Sequence, residues 1–289
     1  MPLTAEQIKE RIGYLGGSDA AAVIGLNRWR TQLQVWAEKT GEIEPPDLSD
    51  NKYVKMGNKL EPLVCDLFTE ETGLKVRRVN ETIYHPKYKF LAANIDRKLV
   101  GEDTILEVKT TSAYKSKEWD ADEMPIEYIV QVMHYLAVTG YKKAYLAVLI
   151  GGNDFRYKEI QRDEKAIAEL VKKEVDFWQN YVVPKVMPMQ VSAADSDVLL
   201  GLFPTAETGT EVKLDNEVDS VIEQLESAKQ DYNAANSLVN KLKNQLKAHI
   251  KENEIGVSPL YRITWKNVHK AEYVVPESNT RQLRYKRIG

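Results

Sequence analysis

The sequence predicts a mixed α/β fold, in which helices pack on a β-sheet and a long helix with a small β-hairpin follows toward the C-terminus. Two observations indicate this fold. Strand-type segments are interleaved with amphipathic helical segments up to residue 183, an order typical of α/β domains. Beyond residue 213, apolar or small residues recur at the 3-4 spacing of a coiled coil. We therefore expect a domain over residues 1–199, a linker over 200–212 and a C-terminal module over 213–289.

Two short helices are predicted near the N-terminus. Ser18 and Asp19 are favourable N-cap residues for the first helix, which Gly25 ends. Thr31 begins the second helix, which ends before Gly41. We expect both helices to pack on the sheet.

A longer amphipathic helix is predicted over residues 58–72. Glu61 falls within its apolar face, where an unpaired charge is costly. We expect a metal ion or a basic group in a cleft to be its partner; the alternative is a carboxylate that reaches solvent at the edge of the face. The apolar positions that keep a 3.6-residue period are Leu60, Leu63, Val64, Leu67 and Phe68.

A β-hairpin is predicted around Asp96. Residues 90–93 form its first strand, with Asp96 just past the end, and residues 101–103 supply the turn. The second strand is predicted within residues 104–111. This hairpin brings Asp96 beside Glu107.

The side chains of the second strand alternate between its two faces. Glu107 and Lys109 then share one face, while Leu106 and Val108 point to the other. Two carboxylates converging with an amine suit Mg²⁺, a hard cation that prefers oxygen ligands. The pattern therefore indicates a metal-dependent phosphodiesterase site that includes Asp96. The alternative is an ordinary solvated strand face, on which Glu and Lys often alternate.

A buried helix is predicted over residues 126–140, because its side chains are apolar nearly all round. Gln131 and His134 interrupt that surface, so both need hydrogen-bond partners. The elements that follow are strands over residues 143–149 and 155–160 and a helix over 164–183.

The segment around Ser18 offers a second type of chemistry. Gly16, Gly17 and Ser18 lead into a predicted helix N-terminus, where free N–H groups favour an anion. The Arg11 guanidinium could donate two hydrogen bonds to the same phosphate. The alternative is that Ser18 is only an N-cap and Arg11 only a surface cation.

The composition limits the class of protein. The chain has 289 residues, 43% hydrophobic and 29% charged, which is ordinary for a globular protein. We find no apolar stretch of transmembrane length and no signal-peptide pattern, so we expect a cytosolic protein. Cys65 is the only cysteine, which excludes an internal disulfide and any zinc site made of cysteines.

The C-terminal module combines a predicted helix with a basic end. Residues 232–289 carry eleven Lys/Arg and four Asp/Glu, so this end could contact phosphates or could simply be a solubilising surface. A hairpin is predicted from residues 261–266 and 272–275. The repeat positions are Val218, Val221, Leu225, Ala228, Tyr232, Ala235, Val239, Leu242 and Leu246, and the basic residues include Lys241, Lys243, Lys247, Lys251, Arg281, Arg284, Lys286 and Arg287.

Five ordered blocks resemble those of the phage-type exonuclease family that includes lambda exonuclease and the YqaJ-type viral recombinases. That family belongs to the restriction-endonuclease-like PD-(D/E)XK nuclease superfamily. In this chain one departure is that Asn94 stands where lambda exonuclease has a phosphate-contacting serine, and the Pro before and Gly after the aspartate are missing. The blocks lie at residues 11–25, 36–41, 56–62, Asp96 with 107–109, and 131–135.

The resemblance implies a role for each of these residues. Metal ligands would be Asp96, Glu107, the Val108 carbonyl and Glu61, with Mg²⁺ as cofactor and Mn²⁺ as a substitute. Lys109 would handle the attacking water, and Gln131 would complete the catalytic group. Arg11, Ser18 and Asn94 would hold a 5′ phosphate.

The same resemblance implies a Mg²⁺-dependent DNA exonuclease that degrades double-stranded ends 5′ to 3′ for recombination by single-strand annealing. Its expected partners are DNA ends, a single-strand annealing protein and further copies of itself, as a trimeric ring. Two alternatives remain open. One is a structure-selective endonuclease with the same metal site, and the other is a non-catalytic DNA-binding or assembly protein.

Overall fold

The structure, a computed structural model, describes residues 10–120, 124–271 and 283–285. The chain divides into two units, Met1–Pro204 and Thr205–Gly289. The helices of the described residues are α1 (Gly17–Val23), α2 (Gln32–Thr40), α3 (Lys52–Thr72), α4 (Ile126–Thr139), α5 (Glu164–Phe177), α6 (Ser196–Leu202) and α7 (Glu217–Ile250). The strands are β1 (Val76–Arg78), β2 (Ile83–Tyr84), β3 (Ala92–Ala93), β4 (Arg97–Leu99), β5 (Thr104–Thr111), β6 (Lys143–Ile150), β7 (Asp154–Gln161), β8 (Ile255–Val257) and β9 (Arg262–Thr264).

A mixed sheet lies at the centre of the first unit. Within the described residues its strand order is β1-β4-β5-β6-β7. β5 and β6 run parallel, whereas the other neighbours are antiparallel. A parallel pair needs a crossover connection, and α4 lies between these two strands in the chain. Together with α7 and the β8-β9 hairpin, this sheet confirms the predicted fold class.

Helices cover both faces of the sheet. On one face, Val64 of α3 packs in a cluster with Leu106 of β5. On the other face, Val132 of α4 packs in a cluster with Ile105 of β5, alongside buried residues of α1, α2 and α5. Because the side chains of β5 alternate, Glu107 faces α4 together with Ile105.

The hairpin partner predicted for β5 was wrong. β5 pairs with β4, which begins just after Asp96, and residues 90–93 do not form that strand. Instead, Ala92 and Ala93 form β3 and pair with β2, and both are fully buried. Asp96 therefore lies between β3 and β4, two short strands that belong to different sheets. It directly precedes β4, whose pairing with β5 brings Asp96 beside that strand.

Two helices differ from their predicted bounds. α3 begins at Lys52, six residues earlier than predicted, because the Asn51 side chain accepts hydrogen bonds from the backbone N–H groups of Tyr53 and Val54. The predicted helix over residues 164–183 is α5 followed by a π-helical turn over Trp178–Val182. Cys65 of α3 is buried, and burial raises the pKa of its thiol to about 11, which keeps it protonated at neutral pH.

The second unit contains the long α7 helix of 34 residues and the small β8-β9 hairpin. The hairpin pairs residues 262–264 with 255–257; the predicted partner segment, residues 272–275, lies outside the described residues, as do Arg281, Lys286 and Arg287. Ile250 is the one buried residue of α7. Several repeat positions of α7 are exposed: Val221, Leu225, Tyr232, Val239, Leu242 and Leu246. None of the helices in the described ranges is both long and apolar enough to cross a membrane.

Candidate active site

A cleft of about 780 Å³ in the first unit gathers the residues that the sequence singled out. They come from the 3-10 turn Arg11–Gly13, from α1, α3 and α4, from the segment between β3 and β4, and from β5. These positions lie far apart in sequence, so the fold brings them together. The predicted residues that line the cleft are Arg11, Ser18, Glu61, Asn94, Asp96, Glu107, Val108, Lys109 and Gln131.

A hydrogen-bonded group on β5 and α4 forms the floor of this cleft. Lys109 Nζ donates to Glu107 Oε1 at 2.6 Å and to Gln131 Oε1 at 3.1 Å. Gln131 Nε2 donates to Glu107 Oε1 at 2.8 Å and to the Tyr135 hydroxyl at 2.9 Å. Glu107 is only 2% exposed, which contradicts the alternative of a solvated strand face. Gln131 thereby fixes both charged side chains of β5.

Asp96 lies against the backbone of the same strand. Its Oδ2 accepts a hydrogen bond from the Val108 N–H at 3.0 Å. Burial raises the pKa of Asp96, although the Lys109 charge and this hydrogen bond oppose the rise. Burial and the Asp96 charge raise the pKa of Glu107 to about 8. The two acids thus face one another with a single ammonium nearby, which leaves an excess of buried negative charge when both are ionised.

One carboxylate oxygen in this group has no protein partner. Glu107 Oε2 is buried and accepts no hydrogen bond from the residues that the structure describes. A buried carboxylate oxygen without a donor is costly, and a cation would satisfy it. The donor set of Asp96 and Glu107, all oxygen, fits Mg²⁺, which keeps several waters and needs few protein ligands.

Glu61 has a basic partner and also an acidic neighbour, since its charge contributes to raising the pKa of Asp96. The Glu61 carboxylate forms an ion pair with Arg97, the first residue of β4, and both side chains are largely buried. Across residues 10–120, 124–271 and 283–285, no group of three or more His, Cys, Asp or Glu side chains is arranged to hold a metal ion. Of the two partners considered for Glu61, the structure shows a basic group, Arg97. Arg97 had not been singled out, although it directly follows Asp96.

The predicted phosphate-binding residues Arg11, Ser18 and Asn94 also line the cleft. Arg11 Nη2 donates to Ser18 Oγ at 2.7 Å, so these two side chains are adjacent. Asn94 Nδ2 donates to the Tyr14 hydroxyl at 2.9 Å, and its Oδ1 accepts from Thr82 at 2.9 Å. Asn94 is thus held by two hydroxyl groups, neither of which the sequence had indicated.

A buried charge network that the sequence analysis missed supports the turn before α1. Asp19 is fully buried, and its Oδ2 accepts from the Gly16 N–H at 3.0 Å and pairs with Lys39 at 2.8 Å. Arg30 bridges Asp19 and Glu38. Although burial opposes it, the charges of Lys39 and Arg30 hold the pKa of Asp19 far below its usual range. The Gly16-x-x-Asp19 spacing is the available sequence signal, because an acidic residue three positions after the N-cap can accept from the N-cap backbone N–H, which is one half of a capping box.

His134 and Glu174 join α4 to α5 beneath the site. His134 Nδ1 lies 2.7 Å from Glu174 Oε1, and its Nε2 lies 3.0 Å from the carbonyl of Ala92. Burial lowers the pKa of His134, but the Glu174 charge, the hydrogen bonds to Glu174 and to the Ala92 carbonyl, and the Asp19 charge together raise it more, so the net shift is upward. A charged imidazolium donating to both groups satisfies the polar partners that the sequence required for His134.

Any side chain at Gly17 is expected to destabilise the fold, because α1 packs closely on α4 there. A Cβ on Gly17 would lie 2.8 Å from Tyr135 Cζ and 3.0 Å from Gln131 Cγ. We expect Gly17→Ala to lower the free energy of unfolding by about 1–3 kcal/mol, the usual cost of overpacking. The matched control is Gly13→Ala, because a Cβ at Gly13 would have no heavy atom within 4 Å. Urea unfolding curves measure both, and equal stability of the two variants would contradict this packing.

Comparison with known proteins assigns this chain to a family. Residues 8–142 match the YqaJ-like viral recombinase domain. The Bacillus subtilis (strain 168) protein YqaJ is 41% identical over 266 residues, which cover 91% of this chain and 83% of that protein. This chain belongs to the YqaJ-like viral recombinase family. Its membership confirms the resemblance seen in the sequence blocks.

The fold of this chain also occurs in solved structures. The alkaline exonuclease LHK-Exo from Laribacter hongkongensis superposes with a TM-score of 0.55 at 21% identity, over 63% of this chain and 94% of that one. LHK-Exo in complex with dAMP gives a TM-score of 0.54 with the same identity and coverage. This YqaJ-like chain therefore shares the fold of that exonuclease over 63% of its length.

Proposed function

We propose that the protein is a Mg²⁺-dependent, phage-type DNA exonuclease that degrades double-stranded ends 5′ to 3′ in a bacterial cytosol. The observation that carries the proposal is the pair of buried acids, Asp96 and Glu107, hydrogen-bonded to Val108 and Lys109, with one carboxylate oxygen unpartnered. Family membership and the fold shared with an exonuclease that binds dAMP support it. Strand resection of this kind would supply a single-strand annealing protein with its substrate.

The metal would be held by Asp96, Glu107 and the Val108 carbonyl, with Glu61 as a further acid at the same cleft. When bound, Mg²⁺ or Mn²⁺ would polarise the scissile phosphate and lower the pKa of a water molecule. Arg97 keeps the Glu61 carboxylate in place, and the Val108 N–H does the same for Asp96. The chain's contribution here is to fix its acids before substrate arrives.

Lys109 is the group that would act on the nucleophile. Although burial opposes it, the charges of Glu107 and Asp96 raise the pKa of Lys109, so it is an ammonium at neutral pH. Such a group can orient a water molecule and stabilise the negative charge that develops on the phosphate. Gln131 accepts a hydrogen bond from Lys109 and is itself tied to Tyr135, so the ammonium has a fixed direction.

The proposed polarity depends on three other residues that line the cleft. Arg11 and Ser18 offer a guanidinium and a hydroxyl side by side, and Asn94 adds an amide held by Tyr14. These groups suit a terminal phosphate, which accepts several hydrogen bonds at once. A strand whose 5′ phosphate sits there would place its first internal phosphodiester toward Asp96 and Glu107.

The experiment that tests the function is a time course on linear duplex DNA labelled at one end, with and without a 5′ phosphate. We expect mononucleotides to be released from 5′-phosphorylated ends in Mg²⁺ and no release in chelator. Covalently closed circular DNA should stay intact, because only an endonuclease can cut it. Cutting of the circle would favour the endonuclease alternative, and no hydrolysis of any DNA would favour the non-catalytic one.

Arg11→Ala is expected to reduce the preference for 5′-phosphorylated ends by about tenfold, because one charge-assisted hydrogen bond contributes about 1.5–3 kcal/mol. Release from 5′-hydroxyl ends should change little. The matched control is Arg77→Ala, since Arg77 is exposed on β1 and does not line the cleft. The readout is the ratio of rates on the two ends, and an unchanged ratio would contradict the assignment of Arg11.

We include a homo-oligomer, a trimeric ring around DNA, in the proposal. The exposed apolar repeat positions of α7 support self-association, because a row of apolar side chains along a helix is stabilised when it packs on another helix. Sedimentation equilibrium at working concentration tests this part separately. A monomer would remove the ring without affecting the proposed chemistry.

A further inference from the structure

A second pocket adjoins the active-site cleft. It has a volume of about 230 Å³ and shares Ser18, Lys109 and Gln131 with the cleft. The rest of its lining comes from the loop after α1 and from the start of α4, and consists of Asn27, Trp29, Glu127 and Tyr128. The proposed chemistry uses none of these four residues, so the pocket needs its own explanation.

Aromatic rings form one wall of this pocket. The Trp29 and Tyr128 rings lie 6.3 Å apart between centroids, inclined at 36°. Behind them, the buried Trp119 stacks on Tyr128 at 5.3 Å, and Lys109 Nζ lies 4.9 Å from the Tyr128 centroid. Tyr128 is therefore held between two neighbours, whereas Trp29 is 54% exposed and available to a ligand.

Cationic groups surround the same wall. Lys115 Nζ lies 5.0 Å from the Trp29 ring centroid, and Arg28 Cζ lies 4.9 Å from it. Arg28 also donates to Glu127 from Nε at 3.0 Å and from Nη2 at 2.7 Å and pairs with the Glu118 carboxylate at 2.8 Å, so two acids offset its charge and Lys115 supplies the further positive charge beside the ring. Exposed aromatic rings among cations are typical of surfaces that stack the bases of single-stranded nucleic acid. The flexible Lys115 side chain can give up its place on the ring to a base.

The position of the pocket identifies which base would enter. In the proposed function, Ser18 holds the 5′ phosphate and Lys109 serves the scissile phosphate. The 5′-terminal nucleotide lies between those two phosphates, so its base must be within reach of both side chains. Ser18 and Lys109 both line the pocket beside Trp29.

We propose that this pocket binds the unpaired base of the 5′-terminal nucleotide by stacking it on Trp29. The inference rests on the proposed function, which assigns the two phosphates. Stacking on an aromatic ring accepts any base, so the pocket would hold each terminal nucleotide in turn without sequence preference.

The test uses the full chain and two duplex substrates with 5′-phosphorylated ends, one with a normal terminal nucleotide and one with an abasic terminal nucleotide. Wild-type protein should release the abasic nucleotide about tenfold more slowly, as expected when one base-stacking contact is lost. In Trp29→Ala this ratio should fall toward one, whereas Trp29→Phe should retain most of it. The matched control is Trp265→Ala, a half-exposed tryptophan of the second unit, which should keep the wild-type ratio.

Three outcomes would overturn the inference. Equal wild-type rates on the two substrates would refute it whether or not a variant folds, and the proposed nuclease would stand. A Trp29→Ala variant that slows both substrates by the same factor would show a structural role for Trp29 only. If wild-type protein releases no nucleotide from either substrate, the proposed function fails and the inference fails with it.

Discussion

Replacing Lys109 with alanine is expected to reduce nucleotide release from duplex ends by at least about 100-fold, the usual effect of removing one positioned catalytic group. Lys109 is the only ammonium within hydrogen-bond reach of Glu107 among the described residues, at 2.6 Å. In the proposed function, its loss would remove both the positive charge beside the phosphate and the group that orients the water. Initial rates on end-labelled duplex DNA in Mg²⁺ measure the effect.

The controls for Lys109→Ala separate chemistry from folding and binding. Lys172→Ala removes an exposed lysine of α5 and should keep the wild-type rate. The affinity of Lys109→Ala for 5′-phosphorylated duplex, measured in chelator, should stay close to that of the wild type, because Arg11 and Ser18 are untouched. Normal turnover by this variant would refute the role assigned to Lys109.

Replacing Glu107 with glutamine is expected to abolish turnover to a similar extent, at least about 100-fold, because an amide cannot serve as an anionic metal ligand. The same change tests the metal without any activity measurement. Mg²⁺ at about 100 times its dissociation constant should stabilise the wild-type protein by about 2.7 kcal/mol, which thermal unfolding detects. Glu107→Gln should lose most of that stabilisation. Equal stabilisation of both proteins would place the ion elsewhere.

Glu107→Gln should also change the pH dependence of stability in metal-free protein. Burial and the Asp96 charge raise the pKa of Glu107 to about 8, above its ordinary value of 4.5. The folded state then binds more protons than the unfolded state between these values, so this group's contribution to stability falls as pH rises through that window. Urea unfolding in chelator at pH 5.5 and 7.5 measures this. Between these two pH values, the free energy of unfolding should fall less for Glu107→Gln than for the wild-type protein. Glu169→Gln, an exposed change on α5, should behave as wild type.

The side chains of β5 show how far local sequence patterns reach. Alternation along an extended strand placed Glu107 and Lys109 on one face without any knowledge of the fold. It could not say whether that face meets water or α4. The structure shows that this face meets α4. β5 pairs in parallel with β6, and a parallel pair requires a crossover connection, which here contains the helix that carries Gln131.

The error at Asp96 has a specific physical cause. Residues 90–93 and 97–99 are both short, and either could have paired with β5 on local grounds. Pairing of Ala92 and Ala93 with β2 removes the first candidate, and Arg97 pairs with Leu106 instead. Strand partners depend on contacts between segments distant in sequence, so propensity alone does not choose between such candidates.

The sequence by itself determined the types of most elements of the first unit, the two faces of β5 and the residues that proved to line one cleft. It did not predict β1, β2 or α6, and Leu63, which it placed on the apolar face of α3, is exposed. Only the tertiary structure decided the partners of the buried charges: Arg97 for Glu61, Lys39 and Arg30 for Asp19, and none among the described residues for Glu107 Oε2. Periodicity is set by each segment's own backbone geometry and can be read locally. A buried charge must be satisfied by whatever group the fold brings within hydrogen-bond distance, and that group comes from elsewhere in the chain.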